Sequence, residues 1–190
     1  MQLKSKQIIR SGEKIYFLNN LPKIPKSLIQ YDFNTTSWPV TSDIELTRKK
    51  QTFNAGIYIK NTVSKELEEW CRNNIIKEWG DIGFSCINGP CLGPHMDQYR
   101  LYTLQYIIDT GGPEVDTVFY DAAHDKVKML PRFKFNCYDD LVATDSYRVT
   151  SDTWCLIDGR NIHSVENIKT QRIALQISLM RNPLVYDSFV

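Results

Sequence analysis

His95 and Asp97 belong to two metal-binding residue types and are separated by a single position. They begin a stretch that becomes apolar and aromatic and extends to Ile108. Side chains at i and i+2 of a strand point to the same face, so a strand that includes His95 would present an imidazole and a carboxylate side by side. Two such groups can take neighbouring positions on one metal ion. The pair therefore requires a third ligand from elsewhere in the chain.

His163 is the candidate third ligand. It lies in the polar segment that follows the apolar run at 154–157, whereas the remaining histidine, His124, sits in a polar turn and is given no role. Two histidines and one carboxylate hold a non-haem ferrous ion and leave its opposite face open. Taken singly, each residue is equally compatible with an ordinary hydrogen-bonding or capping role. In combination they favour a metal site.

The chain length and charge restrict the class of protein. We predict one domain over residues 1–190, made of an N-terminal extension (1–60), a supporting helix (61–80) and a β-core (81–190). The formal net charge of +1 provides no strong field to hold nucleic acid or an anionic membrane. We therefore expect no nucleic-acid partner and no membrane association.

The cysteines and the first residues of the chain predict its compartment. The five cysteines are odd in number, irregularly spaced and without a CxxC pair. The first residues lack the apolar segment of a secretory leader. We expect a cytoplasmic protein with reduced, mostly buried thiols.

The clearest predicted helix covers residues 64–79. Ser64 is a suitable N-cap, and Gly80 is expected to stop the helix. One face is apolar at helical spacing and contains Leu67, Trp70, Cys71, Ile75 and Trp79. A sheet is the flat apolar partner that such a helix needs.

Short strand-like runs, mostly separated by turn residues, follow this helix. They are predicted at 84–87, 95–108, 115–120, 126–130, 132–135, 146–149, 153–157 and 171–180. Two more, at 14–18 and 55–60, precede it. Many short strands after one helix indicate a mainly β protein with a double-sheet fold such as a jelly roll.

The last predicted strand has two unlike faces. One face is wholly apolar and contains Ile173, Leu175, Ile177 and Leu179. The other face contains Arg172, Ala174, Gln176 and Ser178. An outer face under a helix and an inner face along a cavity would produce this alternation. Thr103 and Gln105 share the parity of His95 and Asp97, so we predict that both strands direct polar residues into one cavity.

The order His95-Met96-Asp97, then His163, then Arg172 resembles the HxD…H…R/K pattern of the Fe(II)- and 2-oxoglutarate-dependent dioxygenases. The resemblance covers residues 84–180, where 65 residues separate Asp97 from His163 and Arg172 lies nine positions beyond His163. The segment around His163 is also similar to that of aspartyl/asparaginyl β-hydroxylase-like subgroups, which often lack the aspartate that this chain keeps. The resemblance implies a cupin-like, double-stranded β-helix with the N-terminal helix packed on one sheet.

The same resemblance implies the ligand set and the reaction. His95, Asp97 and His163 would bind Fe(II), for which neutral imidazoles and a carboxylate are suitable donors. The cosubstrate 2-oxoglutarate would bind the ion through its 1-carboxylate and 2-keto oxygen. The implied reaction is hydroxylation or a related C–H oxidation, coupled to oxidative decarboxylation of 2-oxoglutarate to succinate. No catalytic residue beyond the metal ligands is predicted.

Three further residues are predicted to bind the cosubstrate. The guanidinium of Arg172 would hold the far carboxylate through a bidentate contact. Gln105 and Thr103 would hydrogen-bond the cosubstrate or the metal ligands. Many relatives carry a Ser or Thr two residues after the arginine, and here that position is Ala174. Another residue must supply the missing hydrogen bond, or the cosubstrate is held less tightly.

Two other functions remain open from the residues alone. One is a cupin-like metal enzyme that does not need 2-oxoglutarate, and the other is a non-catalytic β-sandwich that serves as a binding module. The near-zero net charge disfavours a nucleic-acid demethylase.

The expected substrate is a small molecule or a peptide, and its groove could be lined by aromatic residues of the predicted loops. These are Tyr31, Phe33, Trp38, Tyr120 and Tyr138. Tyr99 and Arg100 could either reach the cavity mouth or pair at the surface.

Overall fold

A computed structural model of the chain describes residues 13–33, 38–39, 45–123, 134–185 and 188–190. Within these ranges the protein is mainly β. The strands are β1 (Ile15–Phe17), β2 (Trp38–Pro39), β3 (Glu45–Arg48), β4 (Gln51–Asn54), β5 (Ile57–Asn61), β6 (Asp81–Asn88), β7 (Leu92–His95), β8 (Tyr102–Asp109), β9 (Asp116–Ala122), β10 (Leu141–Arg148), β11 (Thr153–Asp158), β12 (Ile162–Glu166) and β13 (Gln171–Leu179). The helix α1 spans Lys65–Asn74, and 3-10 turns occupy Lys26–Leu28 and Tyr138–Asp140.

The strands form two large antiparallel sheets and a separate hairpin. The larger sheet has the order β1-β11-β8-β13-β6-β5-β2, the smaller one β10-β9-β12-β7, and β3 pairs with β4. From β6 onward the chain passes repeatedly from one large sheet to the other, with only β9 and β10 consecutive in the same sheet. This alternation is consistent with a jelly roll.

The stretch after His95 is not the single strand that the apolar pattern predicted. β7 ends at His95 in the smaller sheet, and β8 begins at Tyr102 in the larger one. The connecting residues form hydrogen bonds with other loops and strand ends. The Asp97 N–H, for example, donates to the Gly159 carbonyl at 2.8 Å. Asp97 therefore lies on a crossing segment between the sheets, and strand parity does not place it beside His95.

The helix begins as predicted but ends early. The Ser64 side chain accepts a hydrogen bond from the first turn, which is the expected N-cap. The helix ends at Asn74, five residues before the predicted end at 79. The Ile76 N–H donates to the Cys71 carbonyl at 3.1 Å. This i→i−5 hydrogen bond forms a wide final turn, with which the helix ends. Ile76 then forms a bridge with the C-terminal segment.

The two faces predicted for the last strand are confirmed. Apolar residues of β8 and β13 share one buried cluster with two residues of α1, and this cluster includes Tyr102, Leu104, Tyr106, Leu175, Ile177, Leu179, Leu67 and Cys71. The alternate residues of β13 line a cavity and are Arg172, Ala174, Gln176 and Ser178. Gln105 of β8 lines the same cavity.

The strand predicted at 126–130 lies outside the described residues. Of the one predicted at 132–135, the structure describes Lys134, which forms an isolated bridge with His95, and Phe135, which belongs to no strand. β12, which carries His163, was not predicted as a strand. All five cysteines are free thiols, four of them buried. No helix among the described residues is long and apolar enough to span a membrane.

Candidate metal centre

Three of the predicted residues come together at one point. His95 at the end of β7 is paired with His163 of β12, and their rings lie 4.4 Å apart between centroids. Asp97 reaches the same place from the crossing segment, with its Oδ1 4.0 Å from His95 Nε2. The ligand atoms of the three side chains all lie within 4.8 Å of one another. Donors bound to one ion at about 2 Å each lie within about 4 Å of one another, so modest side-chain rotations would bring these onto a shared ion.

Both imidazoles are oriented by the backbone. Nδ1 of His95 lies 2.9 Å from the Gly93 carbonyl oxygen, and Nδ1 of His163 lies 2.9 Å from the Asn161 carbonyl oxygen. A carbonyl can only accept, so each Nδ1 carries a proton, and Nε2 is the ring nitrogen left to face a metal. Burial, followed by the nearby His163, lowers the pKa of His95 to about 3. The His95 imidazole is therefore neutral at physiological pH.

The Asp97 carboxylate is held at both oxygens. The Arg100 guanidinium donates from Nη2 to Oδ1 at 2.8 Å, and the Thr103 hydroxyl donates to Oδ2 at 2.8 Å. Burial alone would raise the pKa of Asp97, but the charge and hydrogen bond of Arg100, helped by the two imidazoles, outweigh it and the pKa lies below its usual value. Asp97 is thus ionised, and its carboxylate is held in a fixed position by Arg100 and Thr103.

Arg172 lies in the same cavity. It is 3% exposed, and among the described residues no carboxylate lies within salt-bridge distance of it and its Nη1 has no hydrogen-bond partner. Burial lowers the pKa of this guanidinium. A buried cation without a counter-charge is costly, so the arrangement is suited to an anion that enters the cavity.

Thr117 is a second buried polar residue whose side chain lacks a hydrogen-bond partner in the described part of the chain. It lies on β9 opposite Val165 of β12. Arg172 follows Val165 by seven residues in the sequence. Its hydroxyl has no hydrogen-bond partner, and the residue lines the cavity. Sequence reasoning missed Thr117, because its position depends on strand register.

The cavity has a volume of about 710 Å³, which suits a small organic molecule or part of a larger one. Its lining includes His95, His163, Arg100, Arg172 and Gln105. Thr103, predicted to contact either the cosubstrate or a ligand, contacts Asp97.

The predicted aromatic groove is not part of this cavity. Tyr31 packs on Phe33 and Phe84, and the buried Tyr120 and Tyr138 both donate to the buried carboxylate of Glu166. The Trp38 side chain lies outside the described residues. Other aromatic residues line the cavity: Tyr58 and Phe135 are buried, and Tyr99, at the mouth, is 81% exposed.

Comparison with known proteins gives structural neighbours only. No family model matches the chain, and no curated protein does. Solved structures similar to it include a 2OG-Fe(II) oxygenase family oxidoreductase from Burkholderia pseudomallei, at 8% identity and a TM-score of 0.44 over 78% of this chain and 75% of that one. E. coli ycfD gives 11% identity and 0.45 over 92% and 52%. SnoN, a non-haem α-ketoglutarate-dependent epimerase from nogalamycin biosynthesis, gives 8% and 0.38 over 73% and 66%. At such TM-scores a likeness carries no functional argument, and the function is therefore inferred from the chain's own residues.

Proposed function

We propose that this protein is an Fe(II)- and 2-oxoglutarate-dependent dioxygenase that oxidises a C–H bond of a small molecule or peptide. One observation carries the proposal: one cavity is lined by a His-Asp-His cluster and by the buried Arg172, whose Nη1 has no partner among the described residues. The cluster fits a ferrous ion, and the guanidinium fits the distal carboxylate of the cosubstrate.

The ligand chemistry supports a ferrous ion. Two neutral imidazole nitrogens and one carboxylate oxygen are the donor set of facial-triad Fe(II) sites. Each imidazole is held by a carbonyl through Nδ1, and Asp97 is held at both oxygens. Such outer contacts fix the orientation of the donors before a metal binds.

The cosubstrate's two carboxylates would have separate partners. One would bind beside the metal, and the other would be held by Arg172 in a charge-assisted, bidentate contact. Ala174 cannot supply the hydroxyl that often accompanies such an arginine, and Thr117 offers a buried hydroxyl without a partner in the same cavity. Thr117 is therefore our candidate for that hydrogen bond.

The side chains of the protein would bind and orient the metal and the cosubstrate. The bound metal and cosubstrate would supply the redox chemistry. Fe(II) and 2-oxoglutarate, when bound, would use dioxygen to oxidise substrate C–H while the cosubstrate becomes succinate and CO2. His95, His163 and Asp97 would hold the ion, and Arg172 would fix the cosubstrate. Tyr99 at the mouth lies where substrate enters.

Anaerobic titration of Fe(II)-loaded protein with 2-oxoglutarate tests the proposal. A weak visible charge-transfer band should appear, and His95→Ala should abolish it while His124→Ala, which removes the histidine given no role, keeps it. In air the wild type should form succinate. Absence of both the band and succinate in the wild type would contradict the proposal, whereas turnover that is unchanged in Arg172→Gln would favour a metal enzyme that needs no 2-oxoglutarate.

A further inference from the structure

Arg100 has hydrogen-bonding capacity that the protein does not use fully. Its Nη2 donates to Asp97 at 2.8 Å, and its Nη1 makes a long contact of 3.4 Å to the Gln176 Oε1, an oxygen that already accepts the Tyr58 hydroxyl at 2.6 Å. The Tyr58 side chain is a further hydrogen-bond partner of the guanidinium. The Arg100 Nε is buried and has no hydrogen-bond partner among the described residues. The residue lines the cavity beside the metal cluster. The guanidinium is therefore a partly satisfied cation next to the proposed reaction centre.

In the loaded protein, Arg100 would lack full charge compensation. Without a metal, the charges of Arg100 and Asp97 cancel, as do those of Lys60 and Asp81. A ferrous ion adds two positive charges and 2-oxoglutarate adds two negative ones. Asp97 would then share its negative charge with the ion, and the distal carboxylate would be paired with Arg172. Arg100 would be left with less than one counter-charge in a largely enclosed site, which is unfavourable.

We propose that the substrate carries an acidic group, a carboxylate or phosphate, and that Arg100 binds this group beside the metal. The inference rests on the function proposed above and adds the substrate class. An anion would restore the counter-charge of Arg100 and could accept from its unpaired Nε–H, in a contact stronger than one between neutral partners.

The mouth of the cavity indicates the rest of the substrate. Tyr99 is 81% exposed, Met180 is 62% exposed, and both line the cavity. Exposed large apolar side chains at a cavity rim are typical of a binding surface. A substrate with an acidic group at Arg100 and an apolar or aromatic part at this rim fits both features.

The test uses Mn(II), which replaces Fe(II) and relaxes nearby protons, in protein saturated with 2-oxoglutarate under anaerobic conditions. The probes are phenylacetate and its neutral analogue phenylacetamide, and the readout is the saturable relaxation of their methylene protons by NMR. We expect phenylacetate to bind about tenfold more tightly than the amide, as for a charge-assisted hydrogen bond. Arg100→Gln should remove this preference. Lys60→Gln and Lys134→Gln, which remove two other cations of the lining, should retain it.

Relaxation of the 2-oxoglutarate protons in the same spectra separates the two possible failures. If the wild type shows no Mn(II)-dependent relaxation of 2-oxoglutarate, the proposed function fails and the substrate inference falls with it. If 2-oxoglutarate binds but acid and amide bind equally, if the acid displaces 2-oxoglutarate, or if Lys134→Gln rather than Arg100→Gln removes the preference, the inference alone is wrong. Mn(II) is raised to saturation in each variant. If the glutamine variant binds no Mn(II), Arg100→Lys should keep part of the preference, and its complete loss would also contradict the inference.

Discussion

Gly159 lies directly against the carboxylate side chain of Asp97. Its carbonyl oxygen accepts the Asp97 N–H at 2.8 Å, and a Cβ atom at position 159 would lie 2.6 Å from the Cβ of Asp97 and 2.8 Å from its Cγ. Contacts below 3.0 Å are essentially never made by real Cβ atoms. The turn between β11 and β12 therefore leaves the space that the proposed metal ligand occupies, and only glycine leaves it open.

Gly159→Ala should weaken metal binding because the added methyl group must displace Asp97. We expect a loss of at least about tenfold in Mn(II) affinity, comparable to the loss of an outer contact of a ligand. Gly80→Ala is the matched control, since a Cβ there meets only the Ser178 carbonyl at an ordinary 3.7 Å. Calorimetric titration with Mn(II) measures both variants. Equal affinities for Gly159→Ala and wild type would show that Asp97 does not bind the ion.

Thr103→Val should reduce metal affinity by a smaller factor than loss of Asp97 itself. The valine keeps the shape of the side chain but removes the hydrogen bond to Asp97 Oδ2, while the contact of Arg100 to Oδ1 remains. We expect about a tenfold loss of Mn(II) affinity, at the low end for outer contacts. Thr52→Val, an exposed strand residue, should leave the affinity unchanged. An unaltered Thr103→Val variant would mean that Arg100 alone positions the carboxylate.

Arg172 and Thr117 should differ in how strongly they affect cosubstrate binding. Arg172→Gln removes the buried charge and should raise the dissociation constant of 2-oxoglutarate by more than about tenfold. Thr117→Val removes one neutral hydrogen bond and should raise it by about three- to tenfold, whereas Thr117→Ser, which keeps the hydroxyl, should have little effect. The visible band under anaerobic conditions gives these constants. A serine variant as weak as the valine variant would exclude a role for the hydroxyl itself.

The sequence indicated the three residues of the His-Asp-His cluster, but not all of the contacts that hold them. His95, Asp97 and His163 were found from residue type and order, and the inner face of β13 from its alternation of polar and apolar residues. The break between β7 and β8 had a signal, because residues 98–100 are polar and interrupt the apolar run. The contact of Asp97 with Gly159 had none, since it depends on how two distant turns approach each other.

The position of the Arg100 side chain also could not be predicted from the sequence. Its position three residues after Asp97 allowed either a surface pair or a place in the cavity, and local spacing could not decide between them. The crossing segment determines where the side chain lies. The chain there passes from one sheet to the other and places the Arg100 guanidinium on the Asp97 carboxylate. The cavity-facing residues of β13 were predictable from a period-two pattern, whereas the place of Arg100 on the crossing segment was not.

The stability of the metal-free protein should fall as the pH is lowered from about 6 to about 5. The pKa of His95 is about 3 in the folded protein against 6.5 for an unperturbed histidine, so in this interval the unfolded chain binds a proton that the folded protein does not. Stability then decreases with decreasing pH, by at most about 1.4 kcal/mol per pH unit for one proton. Asp97, whose pKa is lowered from 3.8, contributes only at lower pH. His95→Gln removes the titrating ring, so urea unfolding of this variant should show a flatter dependence than the wild type. Equal slopes would mean that His95 is accessible to protons in the folded protein.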